Sequence, residues 1–138
     1  MDRRAQIERI CREHDLLAAY LFGSRADGGL AYLDGSEPER NASDLDVGVV
    51  FRRPDFDLRH LTLLQVAFED LFVPFRVDVV PLQRVDALFQ FDAVDGHRVA
   101  TADPVAADRY ELVVMRRAAE LLPIERQLER DYFAARTP

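Results

Sequence analysis

The stretch YLFGSRADGGLAYLDGSEPERNASDLDVGVVF, residues 20–51, joins two apolar segments through a long polar region. The first segment, LLAAYLFG at 16–23, is a short apolar run that ends at glycine, which predicts a buried strand. The second, DLDVGVVF at 44–51, alternates in polarity and predicts another strand. In that strand, Asp44 and Asp46 leave the face opposite the apolar side chains. Two carboxylates therefore stand side by side where the strand begins.

The rest of the chain predicts further helices and strands. Helices are predicted where apolar residues recur at spacings of three and four: 3–14, 57–72, 84–92 and 104–134. Pro123 predicts a break or kink in the last of these. FRVDVVPL at 75–82 predicts a third strand, and DGHRVATADP a turn and a brief strand. We expect an α/β (α+β) fold, with a small mixed sheet flanked by helices at 1–103 and a helical extension at 104–138 packed on the same domain.

Composition narrows the class of protein. The 138 residues are 49% hydrophobic and 31% charged, a globular balance, and the formal charge of −7 disfavours nucleic acid as a direct ligand. Cys11 is the only cysteine, which excludes a disulfide within the chain and a cysteine-based zinc site. The N-terminal MDRRAQIERICREHD is unlike a signal peptide, and the uncharged run at 16–24 is too short to cross a membrane. We therefore expect a cytoplasmic protein with no membrane contact.

A third carboxylate extends the pair. Asp78 lies in the predicted strand at 75–82, at the opposite parity to its apolar residues, and lies level with Asp44 and Asp46 if the strands are neighbours. Like charges that close repel, and a divalent cation relieves the repulsion. Mg²⁺ prefers oxygen ligands and is usually held by one or two carboxylates plus substrate phosphates. The three aspartates therefore predict a Mg²⁺ site, in which Asp78 is also a candidate base for an attacking hydroxyl.

The residues after the first strand predict a phosphate site. Gly23 allows a tight turn, and Ser24 offers a hydroxyl with backbone amides behind it. If a helix begins at residues 24 to about 30, its first amides suit the phosphates of a nucleotide triphosphate. Arg25 adds a charge-assisted donor for phosphate oxygens. This predicted phosphate site complements the predicted Mg²⁺ site, because Mg²⁺ is usually bound together with substrate phosphates.

Each piece also has a plainer interpretation. A lone Asp-x-Asp is usually the solvated face of an alternating strand, and a lone Gly-Ser is a turn. Asp78 alone is explained as an ion-pair partner of Arg76 or Arg84. The conjunction of all three at the ends of strands favours a catalytic site.

The order of these motifs resembles the nucleotidyltransferase superfamily related to DNA polymerase β, and in particular its minimal nucleotidyltransferase branch. The shared pattern is Gly-Ser, a spacer, Asp-x-Asp and a later Asp, present here as LFGSRADG, SDLDVGVVF and RVDVVPL. The C-terminal RYELVVMRRAAELLPIERQLERDYF is similar to the last helices of antitoxins in this branch. Those antitoxins silence HEPN-domain ribonuclease toxins by transferring AMP from ATP to a toxin tyrosine. The resemblance implies that Ser24 contacts the triphosphate, that Asp44 and Asp46 bind Mg²⁺, and that Asp78 is the third catalytic carboxylate.

The spacer departs from the family pattern. It has 19 residues between Ser24 and Asp44, more than is usual, and the surplus corresponds to GGLAYLDGSEPERN at 28–41. Doubling a loop costs only about 0.6 kcal/mol in chain entropy, so the fold tolerates it. The plain interpretation is a passive surface loop. A contact with the partner protein or a flap over ATP are the alternatives.

The C-terminal segment divides at Pro123. Before it, Leu112, Met115, Ala119 and Leu122 form a stripe that we expect to pack on the domain. The apolar residues beyond Pro123 have less domain to cover, which leaves them available to a partner helix.

The leading hypothesis is a Mg²⁺-dependent adenylyltransferase that acts on a protein hydroxyl, as the antitoxin of a cognate HEPN toxin. One alternative keeps the chemistry but changes the acceptor to a small molecule of the aminoglycoside type, for which 104–138 supplies little acceptor-binding domain. The other is an antitoxin that neutralises its toxin by binding alone.

Overall fold

The computed structural model describes residues 2–38 and 44–136, in which helices and strands alternate. The strands are β1 (Leu16–Phe22), β2 (Leu45–Phe51), β3 (Val77–Pro81) and β4 (His97–Thr101). The helices are α1 (Arg3–Glu13), α2 (Ala26–Leu33), α3 (Leu58–Leu71), α4 (Ala87–Val94) and α5 (Pro104–Arg136). The helices and strands predicted from apolar periodicity are all present.

The four strands form one mixed sheet in the order β3-β2-β1-β4. Strand β1 lies in the middle and pairs antiparallel with both β2 and β4. Strand β3 pairs parallel with β2, and helix α3 makes the crossover between them. The predicted fold class, a small mixed sheet flanked by helices, is confirmed.

Helices cover both faces of the sheet. Helices α1 and α3 bury Ile7 and Phe68 against one face. On the other face, Tyr20 of β1 packs in a cluster with Ala93 of α4 and Val114 of α5. Each large side chain fully buried in this way contributes roughly 1.5–3 kcal/mol. Because both faces are covered, polar side chains of the central strands reach solvent only at the strand ends.

The interpretation of residues 28–41 as a surface loop is wrong for their first part. Residues 28–33 belong to α2, and Tyr32 and Leu33 are buried in the core. The Tyr32 hydroxyl lies 2.9 Å from the carbonyl oxygen of Leu71 and 3.0 Å from that of Val73, which ties α2 to the end of α3. The Arg3 guanidinium covers the Tyr32 ring at 3.7 Å. Residues 39–41 of the segment lie outside the described residues.

Helix α5 also departs from prediction. It continues through Pro123 without a break. Its buried residues are Ala107, Val114 and Ala118, whereas Leu112 and Met115 are about half exposed. The stripe expected to pack on the domain is therefore mostly on the outer face. Although α5 has 33 residues, neither it nor another helix among the described residues is apolar and long enough to span a membrane.

Candidate active site

The strand ends bring two of the predicted aspartates together. In the antiparallel pair β1–β2, the last residue of β1, Phe22, lies opposite Asp46. In the parallel pair β2–β3, Asp46 lies opposite Asp78. Residues in register on neighbouring strands project from the same face of a sheet, so the two carboxylates share one face. Asp44 precedes Asp46 by two residues and lies directly before the first residue of β2.

The pKa of Asp46 reflects its partial burial and the two carboxylates near it. Its partial burial raises the pKa of the carboxyl group above the ordinary value of 3.8, and the charges of Asp78 and then Asp44 raise it further. Asp44 has an arginine neighbour, since Arg76 Nε lies 3.6 Å from its Oδ1, with both side chains largely exposed. The three aspartates therefore concentrate negative charge, which the exposed Arg76 guanidinium only partly offsets at Asp44.

Gly23 fixes the turn against Asp46. Its φ is +77°, a left-handed conformation that glycine adopts without strain. A Cβ built on Gly23 would overlap Oδ2 of Asp46, so the backbone of the turn lies directly on the carboxylate. Glycine is therefore favoured at this position both by the positive φ and by the close approach of the backbone to Asp46.

Ser24 and Arg25 lie between this turn and α2. Ser24 is exposed, and Arg25 is the N-cap residue of α2 without capping it through its side chain. The Ala26 N–H donates to the Gly23 carbonyl at 3.3 Å, which closes the turn. The first N–H groups of a helix have no carbonyl partner within it, so α2 directs donors toward the end where Asp46 lies.

An open cleft of about 670 Å³ lies along β3, the edge strand. Asp44 and Asp78 both line it, together with Glu69 of α3. The two aspartates are exposed, so they face solvent rather than the core. A ligand that contacts them need not displace any part of the fold.

The donor set fits Mg²⁺ chemically. Carboxylate oxygens are the hard ligands that Mg²⁺ takes, and Asp46 carries repulsion that a cation relieves. Across residues 2–38 and 44–136, no three His, Cys, Asp or Glu side chains are already gathered as a metal cage. Mg²⁺ commonly uses only one or two carboxylates and completes its shell with phosphate oxygens and water. Asp44, Asp46 and Asp78 are therefore the residues that would hold the ion together with a nucleotide.

Sequence reasoning missed two residues at this end of the sheet. His97, at the start of β4, lies 2.8 Å through Nε2 from Oδ1 of Asp27 in α2. Asp27 lies in the first turn of α2. No sequence spacing connects positions 70 residues apart, so this contact depends on the sheet order. Only Gly96, which precedes His97, hints at the close approach of β4 to the end of β1.

Comparison with known proteins agrees with this architecture. Residues 5–104 match the model of the family described as polymerase beta, nucleotidyltransferase. The chain belongs to the polymerase beta nucleotidyltransferase family. The matched region contains β1 to β4 and all six predicted site residues, whose roles in this nucleotidyltransferase remain predictions. No curated protein sequence matches the chain significantly.

Solved structures share the nucleotidyltransferase fold over 70–95% of the chain. A toxin–antitoxin structure with AMP-PNP matches at a TM-score of 0.69 and 18% identity, covering 94% of this chain and 98% of that one. A tri-AMPylated Shewanella oneidensis HEPN toxin in complex with MNT antitoxin matches at 0.65 and 16%, covering 95% and 96%. A structure described as a candidate minimal nucleotidyltransferase matches at 0.52 and 26%, covering 70% and 93%. The resemblance predicted from the motifs is therefore confirmed.

Proposed function

We propose that this nucleotidyltransferase is the antitoxin of a HEPN toxin and transfers AMP from ATP to a tyrosine hydroxyl of that toxin, with Mg²⁺. The observation that carries the proposal is the register of the sheet, which sets Asp46 between Asp78 and the Gly23–Ser24 turn. A carboxylate pair beside a helix N-terminus accommodates both a cation and the phosphates that the cation neutralises.

Two similar structures support the nature of substrate and partner. One contains AMP-PNP, an ATP analogue, and another contains a HEPN toxin that carries three AMP groups. Their chains share under 20% identity with this one, so they support the proposal through the fold they have in common. The acidic balance of the chain, −7, agrees with a protein acceptor better than with a nucleic-acid one.

The residues would divide the work as follows. The Ser24 hydroxyl, the Arg25 guanidinium and the first amides of α2 hold the phosphates. Asp44 and Asp46 hold Mg²⁺, which when bound neutralises charge on the phosphate oxygens. Asp78 accepts the proton of the tyrosine hydroxyl. A bond forms from the tyrosine oxygen to the α-phosphorus, the bond to the oxygen bridging to the β-phosphate breaks, and pyrophosphate leaves.

Helix α5 provides a surface for the partner. Beyond Pro123, the outer part of the helix carries apolar side chains that remain more than half exposed: Ile124, Leu128, Tyr132 and Phe133. An open groove of about 460 Å³ between α4 and α5 includes Ile124 and Leu128. An apolar helix face of this kind suits a helix of a second protein. We infer that the toxin contacts α5 when its tyrosine enters the site.

The test mixes the protein with Mg²⁺, labelled ATP and its cognate HEPN toxin. Wild type should label the toxin, whereas Asp46→Asn and Asp78→Asn should reduce labelling by at least about 100-fold, because a misplaced or missing charge removes transition-state stabilisation. Asp70→Asn, an equivalent change of an exposed carboxylate on α3, is the matched control and should label normally. Absence of labelling by wild type, or undiminished labelling by Asp46→Asn, would refute the mechanism.

Binding without catalysis is the competing function, because the exposed face of α5 suits a partner whether or not chemistry follows. Cells that express the toxin discriminate the two. If the double variant Asp44→Ala/Asp46→Ala still restores their growth, neutralisation requires contact alone.

A further inference from the structure

A hydrogen bond between His97 and Asp27 connects the edge strand β4 to the first turn of α2. His97 Nε2 and Asp27 Oδ1 are 2.8 Å apart. The Asp27 side chain is 97% exposed and the His97 side chain 36%. An exposed pair of this kind contributes little to stability, so its position is the feature that needs explanation.

The backbone holds His97 firmly at this position. His97 pairs with Leu21 in the β1–β4 ladder, one residue before the end of β1. The preceding residue, Gly96, packs so closely on β1 that a Cβ there would overlap the carbonyl oxygen of Leu21. The start of β4 is therefore anchored to the strand end that leads into Gly23 and Ser24. His97 is therefore fixed beside the turn, with its imidazole within hydrogen-bond distance of Asp27.

The Asp27 carboxylate and the phosphates of a nucleotide would compete for the first backbone amides of α2. Side chains on a helix tilt toward its N-terminus, so a first-turn carboxylate leans toward the amides that point out of that end. A negative side chain in the first turn of a helix is attracted to those amides by the helix dipole. They are the same donors that a triphosphate would use. An untethered Asp27 would both occupy these donors and repel the phosphates.

We propose that His97 is a positioning residue that holds the Asp27 carboxylate toward β4, and so keeps the N-terminus of α2 open to the triphosphate. This inference depends on the proposed function, because it assumes that the nucleotide binds at Ser24 and α2. The three site aspartates do not require this restraint. It is needed because Asp27 lies on the same helix that would bind the phosphates. The imidazole acts on Asp27 and has no contact with substrate.

A double-mutant cycle tests this role. Calorimetry measures the dissociation constant of Mg²⁺ with AMP-PNP for wild type, His97→Ala, Asp27→Ala and the double variant. His97→Ala should weaken binding about two- to fivefold, the size of a charge effect at a helix N-terminus. Asp27→Ala should bind as tightly as wild type or more tightly. The double variant should match Asp27→Ala, because the competitor is gone. His97→Gln, whose amide can still donate to Asp27, should bind nearly as wild type does.

Controls separate this role from simpler ones. Arg4 forms a similar exposed pair, 2.8 Å from Asp34 at the opposite end of α2, so Arg4→Ala should leave nucleotide affinity unchanged. If the double variant binds as weakly as His97→Ala, His97 contacts the nucleotide or supports the fold, and the proposal is overturned. Unchanged affinity in His97→Ala, or weaker affinity in Asp27→Ala, overturns it as well. If wild type binds no AMP-PNP, the proposed function fails first, which is a distinct result.

Discussion

Replacing Gly23 with alanine tests whether the turn after β1 and the Asp46 carboxylate form one site. Gly23 has a φ of +77°, and a left-handed conformation costs an L-residue roughly 1–2 kcal/mol. The added Cβ would also overlap Oδ2 of Asp46, so the carboxylate must rotate away from its place beside Asp78. The backbone strain affects stability, and the displaced carboxylate affects activity.

The size of each effect follows from these contacts. We expect Gly23→Ala to lower the free energy of unfolding by about 1–2 kcal/mol, which for a domain of this size lowers the melting temperature by roughly 3–10 °C. The side chain of Asp46 is flexible at its tip, so the overlap itself adds little to that cost. Its displacement by about 1 Å should reduce AMP transfer about 100-fold. The free energy is measured by urea unfolding and the transfer with labelled ATP, well below both melting temperatures.

Gly35 is the matched control. Its φ is +101°, and a Cβ built there meets no atom within 4 Å. Gly35→Ala therefore imposes similar backbone strain without displacing a carboxylate. It should lose stability by about 1 kcal/mol and keep full transfer activity. Equal activity of the two variants would show that the Gly23 turn does not position Asp46 for catalysis.

Three further predictions concern charge, a buried hydroxyl and the partner surface. Ionisation of Asp46 destabilises the fold because burial and Asp78 raise its pKa, so this loss grows as the pH rises from 3.8 through the raised pKa. Asp46→Asn should therefore gain less than about 1 kcal/mol in urea unfolding at neutral pH and gain nothing below pH 3.8. Tyr32→Phe should lower the free energy of unfolding by about 1–2 kcal/mol in the same assay, because the Tyr32 hydroxyl hydrogen-bonds to the carbonyl oxygens of Leu71 and Val73. Leu128→Glu should change the free energy of unfolding by less than about 0.5 kcal/mol, since the side chain is 64% exposed. The same variant should reduce labelling of the toxin without weakening binding of AMP-PNP.

Most of the site can be predicted from the two-residue alternation of side chains along the strands. The two-residue period of β2 places Asp44 and Asp46 on one face whatever the strand pairs with. The same period places Asp78 opposite its apolar neighbours in β3. Their proximity, however, depends on β3 pairing parallel with β2 in one register, and a shift of one residue would reverse the face of Asp78. That register comes from the α3 crossover and its packing, which no local pattern specifies.

The glycine-rich composition of residues 28–33 predicts a loop where the structure has a short helix. Residues 28–33 contain two glycines and follow a turn, a pattern typical of loops. Helix α2 forms there because Tyr32 is buried among Phe72 and Phe75 and its hydroxyl has carbonyl partners. Gly29 also packs closely against Leu45, with no space for a larger residue. Tertiary contacts of this kind outweigh intrinsic helix propensity.

In α5, the periodicity alone does not decide which apolar stripe faces inward. Leu112 and Met115 have the spacing of a buried face, and so do Val114 and Ala118. The structure buries the second pair, whose smaller side chains allow α5 to approach α4 closely. The larger residues then remain on the surface, an arrangement that folding of one chain does not explain but that a binding partner does.

The charge distribution at the sheet edge separates a catalytic interpretation from a solvated strand face. A solvated face leaves its carboxylates apart or pairs them with cations, whereas Asp46 is partly buried with its pKa raised by two neighbouring carboxylates. Arg76 lies beside Asp44 but is 85% exposed, so it offsets the charge of the carboxylates only weakly. The arrangement weakens the folded state, and Gly23 adds a turn that only glycine accepts without strain on the same carboxylate. The carboxylate repulsion and the glycine-dependent turn both oppose stability, and both involve Asp46. Such a combination is expected where a bound ligand supplies the missing cation. Mg²⁺ with AMP-PNP should therefore raise the melting temperature of wild type and not that of the Asp44→Ala/Asp46→Ala variant, and an equal rise in both would place the nucleotide elsewhere.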